Sequence, residues 1–278
     1  MAENNKTVKL YTGDVVAATS SKGNQEKWYE ASNDCWYKLD RIGFEALAEA
    51  VASEVLHKYS NIEEELGYRI VPYHIDTVEV HKSNRTASVS PNFLEEGQSI
   101  QTAYHVLKRV IGPDYQKVLA GEGTIQKRMK LIVDTVEQVS GLDHFGEYLT
   151  LLFEVDALIA NEDRHLNNIA ILEKNGKYDY CPLFDNGEGF MLDNVKYPFD
   201  VQTKGLMKHL RAKPFQCRFG TVLSAARELY GSQLKINFEK KDIAEIIDEY
   251  LKWYQPFFQP LVKERIMDVL MLQKKKHF

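Results

Sequence analysis

Three cysteines in 278 residues, Cys35, Cys181 and Cys217, are too few and too scattered to frame a disulfide-built fold. No C-x-x-C pair occurs, which argues against a structural zinc site, and the odd count points to reduced thiols in a cytoplasmic protein. No apolar run approaches the roughly twenty residues that cross a bilayer. The polar start MAENNKTVK lacks a signal-peptide core. The chain therefore reads as soluble, with no membrane partner. Basic excess is missing too. Lys and Arg number 35 against 40 Asp and Glu, a net charge of −5, and this argues against direct nucleic-acid binding. No internal repeat or low-complexity segment appears. What remains, 44% hydrophobic and 27% charged, is ordinary globular composition, and the length suits one large domain or two lobes sharing a cleft.

The most informative stretch is residues 158–187, LIANEDRHLNNIAILEKNGKYDYCPLFDNG. An apolar helical run ends at Asn161, a polar segment follows, and two strand-like runs, 168–172 and 178–184, form a hairpin that returns the chain to Asp185-Asn186-Gly187. Asp163 and Asn168 lie five apart on a tight loop and can face one cleft. The hairpin brings Asp185 back to it, with Gly187 expected to supply the turn. Metal-dependent phosphoryl transfer needs one carboxylate to orient or deprotonate the attacking hydroxyl, and an amide oxygen with a second carboxylate to hold the metal. Taken singly, each piece is a helix cap or an ordinary turn. Their order carries the reading.

Asn161-Glu162-Asp163-Arg164-His165-Leu166-Asn167-Asn168, followed by Pro182-Leu183-Phe184-Asp185, resembles the HipA-like serine/threonine protein kinases, the short CtkA-like members above all. The Asp-Arg-His-x-x-Asn core is shared with phosphoinositide lipid kinases, so the block specifies the reaction more closely than the substrate. The resemblance implies an α+β, two-lobed protein-kinase-like fold, with a small β-rich N-lobe over 1–92 and a larger helical C-lobe over 93–278. It implies ATP and Mg²⁺, Asp163 as the catalytic residue, and Asn168 and Asp185 as metal ligands. Gly23-Asn24-Gln25-Glu26-Lys27 is similar to the Gly-x-Gln-Glu-Lys segment of the family's phosphate loop, though it holds one glycine. Ser20, Ser21 and Gly23 are thus expected at the phosphates, with Ser20 or Ser21 as a regulatory autophosphorylation site. Lys38, in an apolar strand, is expected to reach the α/β-phosphates where most such lysines snorkel to water. Glu45, Glu49 and Glu54, on a predicted helix over 44–59, are candidate partners for it, and the resemblance selects Glu49. By the same resemblance Ser88, Val89 and Ser90, before Pro91, are expected at the hinge that meets the adenine edge, where the plain alternative is a solvent-exposed linker. The resemblance also implies a protein substrate, such as an aminoacyl-tRNA synthetase or other translation protein, and an antitoxin partner. Two rivals use the same residues: a lipid or small-molecule kinase, and a nucleotide-binding pseudokinase acting as an interaction module.

Elsewhere, alternation and turn residues predict strands over 7–11, 15–18, 25–30, 35–39, 69–81 and 86–90. Helical periodicity predicts helices over 99–110, 124–139, 144–160, 219–230, 240–254 and 256–273. The third of these has so wide an apolar stripe that it should be a buried strut beneath the polar loop. His165 reads as a packed residue. Arg164 is left with a carboxylate or a phosphorylated side chain as partner. No acid occurs between Asp200 and Glu228, while Lys204, Lys208, Arg211, Lys213, Arg218 and Arg227 do, which is either a solvated face or a docking surface for an acidic or phosphorylated segment.

Overall fold

The computed structural model describes residues 8–10, 26–41 and 43–278, the first three by their backbone. Ser20, Ser21, Gly23 and the strand expected over 15–18 lie outside the described residues. Five strands, β1 (Val8–Leu10), β2 (Lys27–Glu30), β3 (Cys35–Leu39), β4 (His74–Val80) and β5 (Ser83–Pro91), form one sheet in the order β1-β4-β5-β3-β2. All its pairs are antiparallel except β1 with β4. Side chains alternate across such a sheet, so the two faces read separately. Trp28, Tyr37, Leu39, Val78, Val80, Ala87 and Val89 form an apolar cluster on one face. Lys38 points to the other, with Lys27 opposite it on β2 and Ser88 opposite it on β5.

Helix α1 (Glu45–Tyr59) covers that second face, packing on β3, β4 and β5. Its apolar residues Leu47, Ala48, Val51, Val55 and Leu56 are fully buried, but so is every residue from Glu45 to Ser53. The one-sided stripe expected from the sequence is therefore wrapped. The sheet closes one side, and a later helix, Lys240–Leu251, closes another.

The rest of the chain is mostly helical: α2 (Ala103–Ile111), α3 (Tyr115–Gly121), α4 (Ile125–Ser140), α5 (Phe145–Ile159), α6 (Thr203–Leu206), α7 (Phe219–Tyr230), α8 (Lys240–Leu251) and α9 (Gln259–His277). A second sheet, β6 (Ser99–Thr102), β7 (Ala170–Lys174) and β8 (Lys177–Tyr180), lies among them. The mixed architecture, a small and mainly antiparallel sheet followed by a larger helical part, is the one expected.

Three local expectations change. The helix predicted from 99 begins at Ala103, because Thr102 caps it, its hydroxyl accepting from the His105 N–H at 3.2 Å, while residues 99–102 pair with β7. The strand predicted over 69–81 enters the ladder only at His74. Ahead of it, Ile70 bridges to Leu183, and Val71 N–H donates to the Leu183 carbonyl at 3.0 Å. The return strand predicted to 184 stops at Tyr180 for the same reason, since Leu183 is engaged by residues 69–71. Helix α5 is the buried strut foreseen, with every residue but Glu147 buried. It ends at Ala160, whose φ of 57° turns the chain out into the polar loop.

Candidate active site

The loop after α5 is held from beneath by one side chain. Arg164, 1% exposed, donates from Nε and Nη2 to the carboxylate of Asp156 on α5, at 3.0–3.2 Å. Its Nη1 reaches the carbonyls of Asn168 (3.3 Å) and Phe184 (2.8 Å), and its Nη2 also reaches Asn186 Oδ1 (2.9 Å). A planar fork with fixed donor directions suits this task. It joins α5, both ends of the polar loop and the Asp185 segment, and so settles the partner the sequence left open. Asn161 completes the frame, donating to Asp156 Oδ1 at 2.9 Å and accepting from Asp163 N–H at 3.0 Å.

On this frame Asn168 donates to the Asp163 carbonyl at 3.3 Å, and its Oδ1 is buried with no hydrogen-bond partner. Asp185 follows Phe184 with a φ of 62°. The left-handed residue of the turn is thus Asp185 itself, which an Asp tolerates better than most side chains. Gly187, expected to make that turn, sits instead against α1, where a Cβ would lie 3.5 Å from Glu45 and Glu49 atoms.

Lys38 Nζ lies 2.8 Å from Glu49 Oε1 and 2.6 Å from Asp185 Oδ1. Glu49 Oε2 accepts the Asn186 N–H at 2.8 Å, so strand, helix and turn close on one ammonium. Glu45 instead turns back on the segment ahead of its helix, accepting from Arg41, Gly43 and Phe44 N–H groups, and Glu54 pairs with Lys58. Burial works against the charge on Lys38, but Asp185 and Glu49 overcome it and hold its pKa well above the usual lysine range. Burial likewise opposes charge on Asp185, and the ammoniums of Lys38 and then Lys27 hold it well below the usual carboxylate range. Lys27 moves the other way, lowered by burial and by Lys38 across the ladder.

Asp163 Oδ1 lies 2.5 Å from Lys213 Nζ, and His165 Nε2 is 3.7 Å from Asp163 Oδ2. His165 is 30% exposed and so is not the packed residue expected. Next to Asp163, Glu162 accepts from Lys196 Nζ at 2.6 Å, from the Tyr197 hydroxyl and from Arg211 N–H. The basic run is therefore divided. Lys213 meets Asp163, Arg227 pairs with buried Glu154 at 2.6 Å, and Lys204, Lys208 and Arg218 remain exposed.

Of the residues expected at the adenine edge, Ser88 and Ser90 are buried on the Lys38 face, and Ser88 Oγ is buried without a partner. Val89 turns its side chain into the opposite cluster with Tyr37, which leaves it only its backbone to offer. Ser20, Ser21 and Gly23 are not among the described residues. The sequence reading missed Lys27 and Lys213. The first was legible as the end of the Gly-x-Gln-Glu-Lys segment, and the second was visible only as one member of the basic run, with nothing in the sequence to tie it to Asp163.

Among the described residues no group of three or more His, Cys, Asp and Glu forms a metal cage. The orphaned side-chain oxygen of Asn168 and the carboxylate of Asp185, on two segments whose backbone carbonyls at Asn168 and Phe184 Arg164 binds together, fit a different need: an ion that takes few protein ligands and draws the rest from phosphates and water.

The crystal structure of the Helicobacter pylori proinflammatory kinase CtkA superposes with a TM-score of 0.59 at 15% identity, over 97% of this chain and 95% of that one. This chain has the fold of that kinase. HipA of Shewanella oneidensis MR-1, solved with HipB and operator DNA as a toxin–antitoxin system, is also found, with a TM-score of 0.43 and 12% identity over 91% of this chain and 64% of HipA. No family model and no curated protein matches the sequence. The likeness read from the 161–168 and 182–185 segments, to HipA-like kinases and their short CtkA-like members, is thus matched by the fold.

Proposed function

We propose that this protein is a phosphotransferase that uses ATP and Mg²⁺ to phosphorylate serine or threonine hydroxyls of a protein substrate. One observation carries the reading: the Lys38 ammonium is bridged at once by Glu49 and Asp185. That contact joins a strand, a helix and the carboxylate beside the polar loop, the arrangement by which kinases position a nucleotide's phosphates. In this reading the lobes divide near Asn92, into 1–92 and 93–278, and Ser88–Ser90 approach the base. Lys38 and Lys27 face the phosphates from the sheet, with Gly23, Ser20 and Ser21 expected beside them. Asn168 and Asp185 would hold Mg²⁺, which when bound neutralises charge on the transferred group. Asp163 orients the acceptor hydroxyl, and Lys213 puts a positive charge beside it. The choice of serine or threonine, autophosphorylation at Ser20 or Ser21, a translation protein as substrate, an antitoxin partner and a cytoplasmic setting rest on the sequence resemblance.

The test compares ATP consumption and phosphoproteomes of the wild type with Asp163→Asn and Asp185→Asn. Loss of the orienting carboxylate should lower turnover by roughly 10²–10⁴-fold, the range for general acid–base groups. Asp185→Asn should abolish turnover at low Mg²⁺ and recover a little at high Mg²⁺. Wild-type rates in both variants would end the proposal.

A further inference from the structure

A cavity of about 430 Å³ opens against the polar loop. His165, Leu166 and Asn167 form one wall, α3 and the start of α4 another, and Lys213, Pro214 and Phe215 the third. It is continuous with the candidate active site through two side chains. Lys213 touches Asp163 at 2.5 Å, and His165 lies 3.7 Å from the same carboxylate. An acceptor hydroxyl at Asp163 would therefore have its neighbouring residues at the mouth of this cavity.

The lining has an unusual charge. Arg128 and Lys213 contribute two cations and His165 a third potential one, and among the described residues no Asp or Glu lines it, in a chain whose net charge is −5. Two of its nitrogens, Arg128 Nε and His165 Nδ1, are buried without a hydrogen-bond partner. Arg128 is anchored by one nitrogen only, Nη2, at 3.0 Å from the Ala120 carbonyl. The Arg128 Nε–H is a donor in every state, and a buried donor without an acceptor is costly unless something supplies one. The aromatic wall, where Tyr104 and Tyr115 meet edge to face at 5.7 Å, gives a peptide's methylene groups a surface.

Resting on the kinase reading, we propose that this cavity is the acceptor-peptide subsite and that it selects an aspartate or glutamate close to the phosphorylated hydroxyl. The carboxylate pairs with Arg128, while Lys213 remains with Asp163. Charge-assisted pairing of this kind is stronger than neutral hydrogen bonding, and a guanidinium offers the carboxylate two parallel donors.

Fluorescence anisotropy of labelled serine peptides, flanked within three residues by Glu, Ala or Lys, reads binding to the whole chain without requiring turnover. The Glu peptide should bind about tenfold more tightly than the Ala peptide, a factor worth 1.4 kcal/mol, and the Lys peptide more weakly still. Arg128→Glu should abolish or invert that order, and Arg128→Gln should flatten it. ATP turnover without peptide and the melting temperature of the Gln variant should stay near wild type. Equal binding of the three peptides by a folded wild-type chain would overturn the proposal, as would an Arg128→Gln variant that keeps the Glu preference. RNA that displaces the Glu peptide, and binds more tightly than it does, would also overturn it by giving the cations another use. A preserved Glu preference with no ATP turnover in any setting would instead overturn the kinase reading.

Discussion

Two carboxylates share one ammonium at Lys38, with Glu49 at 2.8 Å and Asp185 at 2.6 Å. Such a pairing holds the lysine extended across the cleft, where snorkelling would otherwise take it to water. Of the residues expected at the site, Asp163, Asn168 and Asp185 were legible as one polar pattern around a tight loop. Lys38 and Glu49 were picked out by the family resemblance, because a lone strand lysine and a helix with three glutamates leave those roles open. Lys213 had neither mark. It lies fifty residues beyond Asp163 in a segment without periodicity, and only the folded chain brings its Nζ to 2.5 Å from that carboxylate. Its charge there should matter to the chemistry more than to nucleotide binding. Lys213→Met should lower kcat by roughly a hundredfold, as loss of one preorganised donor does, with KM for ATP changed little. Lys213→Arg should recover part of the rate. Steady-state kinetics with saturating acceptor would check this, and a change confined to KM for ATP would assign Lys213 to the nucleotide instead.

At the scale of elements, one buried side chain sets the geometry of the site. Arg164 is a packed, fully engaged cation whose partners lie on α5, on the polar loop and on the Asp185 turn. The sequence showed α5 as a buried strut through its apolar stripe. It could not show that Asp156 on that strut is buried as well, since a lone acid in an apolar run carries no mark of its partner. The same limit explains residues 99–102, where an amphipathic pattern suits either a helix or a strand and the pairing with β7 decides. Removing the guanidinium would strand the Asp156 carboxylate. Arg164→Met is expected to cost about 3–5 kcal/mol of unfolding free energy, the penalty for breaking a buried pair from one side. Arg164→Lys should recover little, because one ammonium cannot reach the same acceptors. Urea unfolding of the three chains gives the comparison, and a loss below about 1 kcal/mol for the Met variant would mean the loop is held by other contacts.

Across the whole molecule the small sheet-bearing part and the helical part share a core. Leu47, Val51 and Val55 of α1 lie in the same apolar cluster as the inner faces of α5, α8 and α9. Periodicity had shown that α1 owns an apolar face, but not that the helical part would cover it. A polar contact reinforces this junction. Asp40, just beyond β3, accepts from Ala46 N–H at 2.7 Å and from the Tyr254 hydroxyl, beyond α8, at 2.9 Å, while its carbonyl accepts from Arg85 at 2.7 Å. Burial pushes the Asp40 carboxyl up to about 7; the Ala46 N–H opposes this, neighbouring Glu45 adds to it, and Tyr254 and Arg85 oppose it. An unfolded aspartate titrates near 3.9. Between those values the folded chain keeps a proton that the unfolded chain has released, so this group's contribution is complete below about pH 4 and is lost as pH rises through 7. The change is on the order of a few kcal/mol. Other groups titrate over the same window, so the readout is the difference between wild type and Asp40→Asn, which has no proton to lose. Unfolding free energies at pH 4.5, 6.0 and 7.5 should fall more steeply with pH in the wild type than in Asp40→Asn. Parallel profiles would mean that Asp40 is ionised throughout, held so by Ala46, Tyr254 and Arg85, and that the junction carries no pH dependence of its own.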